Sequence, residues 1–213
     1  MIKMLRKAKR PLFLAGGGVN ISRAGALFTE VVNQTKVPVV TTVMGRGAIP
    51  TTNPLYIGNL GMHGAYAANM AVNECDLLFS IGTRFNDRIT GKLHSFAPNA
   101  QIVHIDIDTA AISKNVQVDV PIVADAKEAL EKMREYAAEC ETEAWISQID
   151  SWKQEHPMEM KKKPIMTPED VIQTINRLFD EAIIITDVGQ HQMFTAQFIE
   201  LNEKKRLYMS GGI

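Results

Sequence analysis

Two arginines follow a glycine at close spacing in Gly82-Thr83-Arg84-Phe85-Asn86-Asp87-Arg88. Guanidinium groups so placed can grip a pyrophosphate through forked, charge-assisted hydrogen bonds. The plainer alternative is a solvated loop whose arginines pair with Asp87. Gly16-Gly17-Gly18 is a second such element. Without Cβ atoms its backbone can approach a ligand closely, although a ligand-free tight turn needs the same residues. The spacing is not Gly-x-Gly-x-x-Gly, which disfavours a standard NAD site. Asp106 and Asp125 can accept hydrogen bonds from ribose or adenine, or simply cap a turn and a helix. Near the end, Asp187-Val188-Gly189 leads into Gln190-His191-Gln192-Met193. A strand–loop–helix of this kind turns backbone N–H groups toward an anion; otherwise it is an ordinary helix start. His63 is a satisfied polar side chain as readily as a ligand contact, and it is not read as a general base.

These groups need strands ending just before them. Pro11–Ala15 and Leu77–Ile81 are short apolar runs that stop at the two glycine turns. Val37–Val43, Gln101–Ile107 and Val118–Val123 read as further strands, the last at an edge because of Pro121. Helices are expected after Gly18, with Leu27, Phe28, Val31 and Val32 on one face, over Ala65–Val72, and after Asp125, with Ala126, Leu130, Met133 and Ala137 inward. Apolar strands alternating with amphipathic helices predict α/β architecture: a parallel sheet of about five or six strands covered on both faces. Residues 141–166 read as a linker, with 142–155 helical at most and Lys161–Pro164 irregular. A second unit opens at Thr167-Pro168-Glu169-Asp170, which has capping-box character. Val171, Ile172, Ile175 and Phe179 form its expected buried stripe, and Ala182–Thr186 its expected buried strand. Another strand begins near Tyr208, and the chain ends at Ile213. The sequence thus reads as residues 1–140, a linker, and a truncated second α/β unit over 167–213.

A chain of 213 residues holds one large domain or one and a fraction. Its net charge of −1 points to neither nucleic acid nor an anionic membrane surface. Cys75 and Cys140 lack metal-ligand or CxxC spacing and read as reduced thiols of a cytoplasmic protein. The basic N-terminal segment reads as a surface helix; it lacks the apolar core of a signal peptide, and no run approaches a membrane span.

Four motifs, in order, resemble one family. Thr186–Met193, followed by Met209-Ser210-Gly211-Gly212, resembles the start of the diphosphate-binding domain of thiamine-diphosphate enzymes, nearest the acetohydroxyacid (acetolactate) synthase catalytic subunits. Ala15–Val19, Leu60–Gly64 and Gly82–Arg88 resemble that family's central, FAD-binding domain, which is Rossmann-like. The resemblance makes Gly16, Gly17 and Gly18 a wall of the flavin site. It adds the loops carrying Thr41, Val43 and Met44 and carrying Leu60, Gly61, Met62 and His63. Gly82, Arg84, Asn86, Arg88 and Ile89 fall in the third loop. Asp106 and Ile107, with Asp125 and Ala126, meet the adenosine half of FAD, and Gln190, His191, Gln192 and Met193 stand by thiamine diphosphate. Thr109 and Ala111 depart from the proline and polar residue expected there.

The sequence contains no Gly-Asp-Gly, the family's Mg²⁺-holding motif, and the resemblance is expected to start after the N-terminal domain that bears the activating glutamate. No catalytic or metal residue is therefore assigned, and the chain by itself is expected to be inactive. The implied parent joins pyruvate to a second pyruvate or 2-ketobutyrate, with FAD structural, in branched-chain amino-acid synthesis. It is expected as a homodimer or homotetramer with a possible regulatory small subunit. Two alternatives stay open: another thiamine enzyme, such as glyoxylate carboligase or pyruvate oxidase, and a non-catalytic flavin-nucleotide module.

Overall fold

The computed structural model describes residues 2–161 and 164–210. After a short helix α1 (Ile2–Lys7), strand β1 (Pro11–Ala15) opens the first sheet. Its turn leads into α2 (Gly17–Ile21) and α3 (Gly25–Thr35), which buries Phe28, Val31 and Val32. β2 covers only Val39–Thr41. The expected strand began at Val37, but Pro38 has no N–H to donate, and Thr42 leaves the strand to cap a 3₁₀ turn, accepting from the Gly45 N–H at 3.0 Å.

β3 (Tyr56–Asn59) was not anticipated. It is short, contains Gly58 and Asn59, and pairs with β2 through a register shift at Val39/Val40; weak strand formers hide its pattern. α4 (Tyr66–Glu74), β4 (Leu77–Ile81), α5 (Asp87–Thr90) and β5 (Gln101–Asp106) follow. β6 (Val120–Val123) lies at the edge, as Pro121 requires, and α6 (Ala126–Tyr136) follows it. β5 stops at Asp106, leaving Ile107 exposed, and Ala137 lies just beyond α6.

All six strands are parallel, in the order β3-β2-β1-β4-β5-β6. The chain builds outward from β1 in one direction, then returns to β4 and builds in the other. That is the order of doubly wound dinucleotide-binding sheets, whose ligand crevice opens where the direction reverses. One apolar cluster covers each face. Phe13 stands at the centre of one, edge-on to Phe28 and Phe79 with centroids 5.8 and 5.6 Å apart.

Much of segment 141–166 is α7 (Glu143–Glu155). Thr142 Oγ1 donates to the Lys36 carbonyl at 2.7 Å, and Trp145 Nε1–H donates to the Pro11 carbonyl at 3.1 Å. Trp145 and Ile149 are buried against the first sheet. Lys162 and Lys163, which the linker expectation included, lie outside the described residues.

The second unit comprises α8 (Pro168–Leu178), β7 (Ala182–Thr186), α9 (Gln190–Phe198) and β8 (Lys205–Met209). The capping box is present: Thr167 Oγ1 accepts from the Asp170 N–H at 3.2 Å, and Asp170 Oδ2 accepts from the Thr167 N–H at 2.8 Å. The buried stripe of α8 is narrower than expected. Ile172 is buried and Ile175 partly so, but Val171 and Phe179 are exposed. α8 packs on α9 and on Ile199 and Leu201, which cover only one side of it. β7 is likewise not a buried strand. Ile184 faces the helices, whereas Ile183 and Ile185 are 68% and 77% exposed on the open side. Gly211–Ile213, part of the final strand-and-turn expectation, lie outside the described residues.

Candidate functional site

The switch point between β1 and β4 is built from backbone. The Gly16 N–H donates to the Ile81 carbonyl at 2.9 Å, and the Gly18 N–H to the Gly82 carbonyl at 3.0 Å. Gly82 has φ +62°, and a Cβ on Gly16 would stand 2.1 Å from its carbonyl oxygen. These glycines are therefore needed for the two turns to cross, whether or not a ligand approaches. Gly17 lies beside Met44, whose carbonyl accepts from Asn20 Nδ2 at 3.0 Å. Met44 is exposed at this rim and Val43 half-buried.

Two further loops close the crevice. The Met62 N–H donates to the Arg88 carbonyl at 3.1 Å, so the Leu60–His63 loop and the Gly82–Ile89 loop are joined. Asn69 fixes the first of these loops through both its amide groups on Gly61, at 3.0 and 3.1 Å. Leu60 and Ile89 are buried beneath, while Met62 and His63 are exposed. Arg84 and Arg88 are both exposed, and neither side chain makes an ion pair or hydrogen bond among the described residues. The alternative pairing with Asp87 does not form. Asn86 is the N-cap residue of α5 but makes no side-chain cap. Two unneutralised guanidinium groups thus flank the crevice, available to an anion.

Asp106 ends β5 and is 8% exposed. One carboxylate oxygen accepts from the Asp108 N–H at 2.9 Å. The other stands 3.8 Å from Nε2 of His104. Asp125 is occupied as a helix cap, accepting from the Lys127 N–H at 2.8 Å, with Ala126 buried behind it. The Thr41 hydroxyl is engaged within the sheet, donating to Asn59 Oδ1 at 3.2 Å.

Gln190–Met193 begin α9 behind Gly189. Gln190 and His191 are exposed, and buried Gln192 donates to the Ser210 carbonyl at 2.8 Å. No hydrogen bond or ion pair joins these four side chains to Arg84 or Arg88 among the described residues. The opposite end of α9 makes the connection. Asn59 Nδ2 donates to the Ala196 carbonyl at 2.9 Å, and Gln197 to the His63 carbonyl at 3.0 Å. Arg46, 6% exposed, donates to the Ile199 carbonyl and, at 2.6 Å, to the Tyr56 hydroxyl. A cleft of about 300 Å³ between the units is lined by Arg46, Tyr56, Asn59, Lys153 and Gln197.

Arg46, Asn59, Thr83 and His104 are structurally important residues that the sequence motifs do not mark. A histidine inside the apolar run of β5 was a signal, because central parallel strands are usually apolar throughout. Burial lowers the pKa of His104 below the usual histidine value, against the opposing pull of its Thr83 hydrogen bond and of Asp106.

Residues 1–133 match the thiamine pyrophosphate enzyme central domain. The chain belongs to the thiamine pyrophosphate enzyme family. It is 44% identical to the acetolactate synthase large subunit of Cyanidium caldarium, an alignment covering 98% of this chain and 37% of that protein. It is 43% identical to the corresponding protein of Buchnera aphidicola, over 100% of this chain and 38% of the relative. A probable acetolactate synthase large subunit of Methanocaldococcus jannaschii is 42% identical, over 99% and 38%. The chain thus spans less than two fifths of the length of these relatives. Family membership sets aside a flavin-nucleotide module from outside the thiamine enzymes. Among the described residues no helix is long and apolar enough to cross a membrane, and no group of three His, Cys, Asp or Glu side chains could hold a metal ion.

Proposed function

We propose that this thiamine pyrophosphate enzyme chain is the FAD-binding portion of an acetolactate synthase large subunit, joined to the beginning of its thiamine-diphosphate-binding unit. The observation that carries the reading is the pair of unpaired arginines beside the β1/β4 switch point, where doubly wound sheets bind nucleotides. Arg84 and Arg88 donate to the pyrophosphate. The free oxygen of Asp106 accepts from a ribose hydroxyl. Met44, Met62 and His63 border the flavin ring. Gln190 and His191, at the start of a nine-residue helix, face the thiamine diphosphate phosphates. When bound, thiamine diphosphate supplies the carbanion chemistry on a 2-keto acid, while protein groups orient and tune it. No Mg²⁺ ligand is assigned to these residues. Pyruvate with pyruvate or 2-ketobutyrate as substrates, a homodimeric or homotetrameric assembly, a regulatory small subunit and a cytoplasmic location belong to the same proposal for the whole enzyme.

Titration calorimetry tests the nucleotide placement. ADP and FAD should bind and FMN more weakly, because the arginines and Asp106 serve the adenosine diphosphate half. Arg84→Ala with Arg88→Ala should weaken ADP by about tenfold or more, since a hydrogen bond to a charged group contributes about 1.5–3 kcal/mol. FMN binding better than ADP, or an unchanged double variant, would refute the placement.

A further inference from the structure

His104 is wholly buried in the middle of the sheet, yet its ring is half used. Nε2 lies 2.8 Å from the Thr83 carbonyl oxygen. A carbonyl can only accept, so Nε2 carries the proton. Nδ1 is then an acceptor, and it has no partner among the described residues. The buried hydroxyl of Ser80 lacks a partner too. Ser80 and His104 are paired in the β4–β5 register, so their side chains share one face of adjacent strands. A donor without an acceptor and an acceptor without a donor thus stand side by side. Phe85 holds the ring from another side, with centroids 4.8 Å apart.

The same Nε2–H group lies where two parts of the candidate site meet. Thr83 follows Gly82 in the turn that leads to Arg84, and Asp106 is two residues along β5 with a carboxylate oxygen 3.8 Å from Nε2. We propose that His104 is a positioning residue for nucleotide binding: its single N–H fixes the Thr83 carbonyl, and with it the pyrophosphate-facing turn, beside the ribose-facing Asp106. The proposal rests on the nucleotide placement above.

The test uses the 213-residue chain and ADP, with three forms: wild type, His104→Phe and His104→Gln. Phenylalanine keeps the bulk and removes the N–H. Glutamine can place an amide N–H where Nε2 stood. His104→Phe should bind ADP about tenfold more weakly, and His104→Gln should recover most of the loss. If both variants lose affinity equally, or neither does, the positioning role is overturned. Absence of ADP binding to the wild type refutes the nucleotide placement and this proposal with it; ADP binding that His104→Phe leaves intact refutes the proposal alone. Nitrogen NMR of the wild type decides the matter should His104→Phe not fold. The expected spectrum shows Nε2 protonated and Nδ1 bare, with the Nε2–H resonance shifting on ADP addition. A protonated Nδ1, or a resonance indifferent to ADP, overturns the assignment.

Discussion

β1 and β7 are both five-residue apolar strands ahead of a glycine-containing turn, yet they have different fates. Every residue of β1 is buried, because it lies between β2 and β4 with an apolar cluster on each face. β7 pairs only with β8 and has helices on one face, so alternate side chains meet solvent. An apolar run sets strand tendency; neighbouring strands and covering helices set burial. The two units also hold themselves differently. The first is held by side chains filling both faces of a sheet. Among the described residues the second has five buried apolar side chains, Ile172, Ala196, Phe198, Ile199 and Leu201, and is joined to the first in large part by directed hydrogen bonds that involve Arg46, Thr51, Asn59 and Gln197.

The largest expected effect lies in the first sheet. Phe13→Ala removes a ring packed edge-on to two others in a region that cannot collapse around the space. Core Phe→Ala changes cost about 3–5 kcal/mol. Urea unfolding followed by tryptophan fluorescence reports on this unit, because Trp145 and Trp152 both pack on it. A loss below 1 kcal/mol would mean that the six-stranded sheet is no better packed than the two-stranded one.

The junction comes next. Arg46→Leu keeps apolar bulk but removes the bonds to Ile199 and Tyr56, both made by a charged donor. The expected cost is about 2 kcal/mol, and it should fall on one side only. Hydrogen exchange should quicken in α9 and β7 while β1 and β4 keep their protection. Equal loss in both units would show a single cooperative body and erase the distinction. We also propose that the boundary lies after α7, where residues 156–159, Lys161 and residues 164–166 are exposed and limited trypsin digestion should cut first.

The strands flanking the site were legible because their cause is local. Pro11–Ala15 and Leu77–Ile81 are apolar, short and closed by glycine, and the structure gives both ranges unchanged. Candidate loops were legible for the same reason: they follow those strands. β3 was not legible, since Tyr56–Asn59 is a strand only because β2 lies beside it. The position of His104 against Thr83 and Ser80 depends on the register between strands more than twenty residues apart in sequence, which composition does not encode. The glycine turns carried two readings at once, and only their mutual contact showed that the fold alone requires them. The exposure of Val171, Phe179, Ile183 and Ile185 depends on what lies opposite them, which their own amphipathic pattern cannot state.

The smallest effect makes the sharpest test of the comparison, because it sits within one strand. Ile183 and Ile185 point to solvent, and Ile184 between them packs against the cluster of Ile172, Phe198, Ile199 and Leu201. Threonine is β-branched and retains strand propensity, so replacing either outward isoleucine with it changes little but exposed apolar surface. Ile183→Thr and Ile185→Thr should each stay within about 0.5 kcal/mol of the parent. Ile184→Ala should cost clearly more, about 1–3 kcal/mol, as it removes packed methyl groups from a partly covered site. The readout is exchange protection of β7 and β8 amides, since this unit carries no tryptophan. A loss for Ile185→Thr as large as that for Ile184→Ala would mean that the outward face is covered in solution. Sedimentation of the parent chain would then have to show association that the threonine variant lacks. Without such association, the contrast between a sheet covered on both faces and one covered on a single face stands.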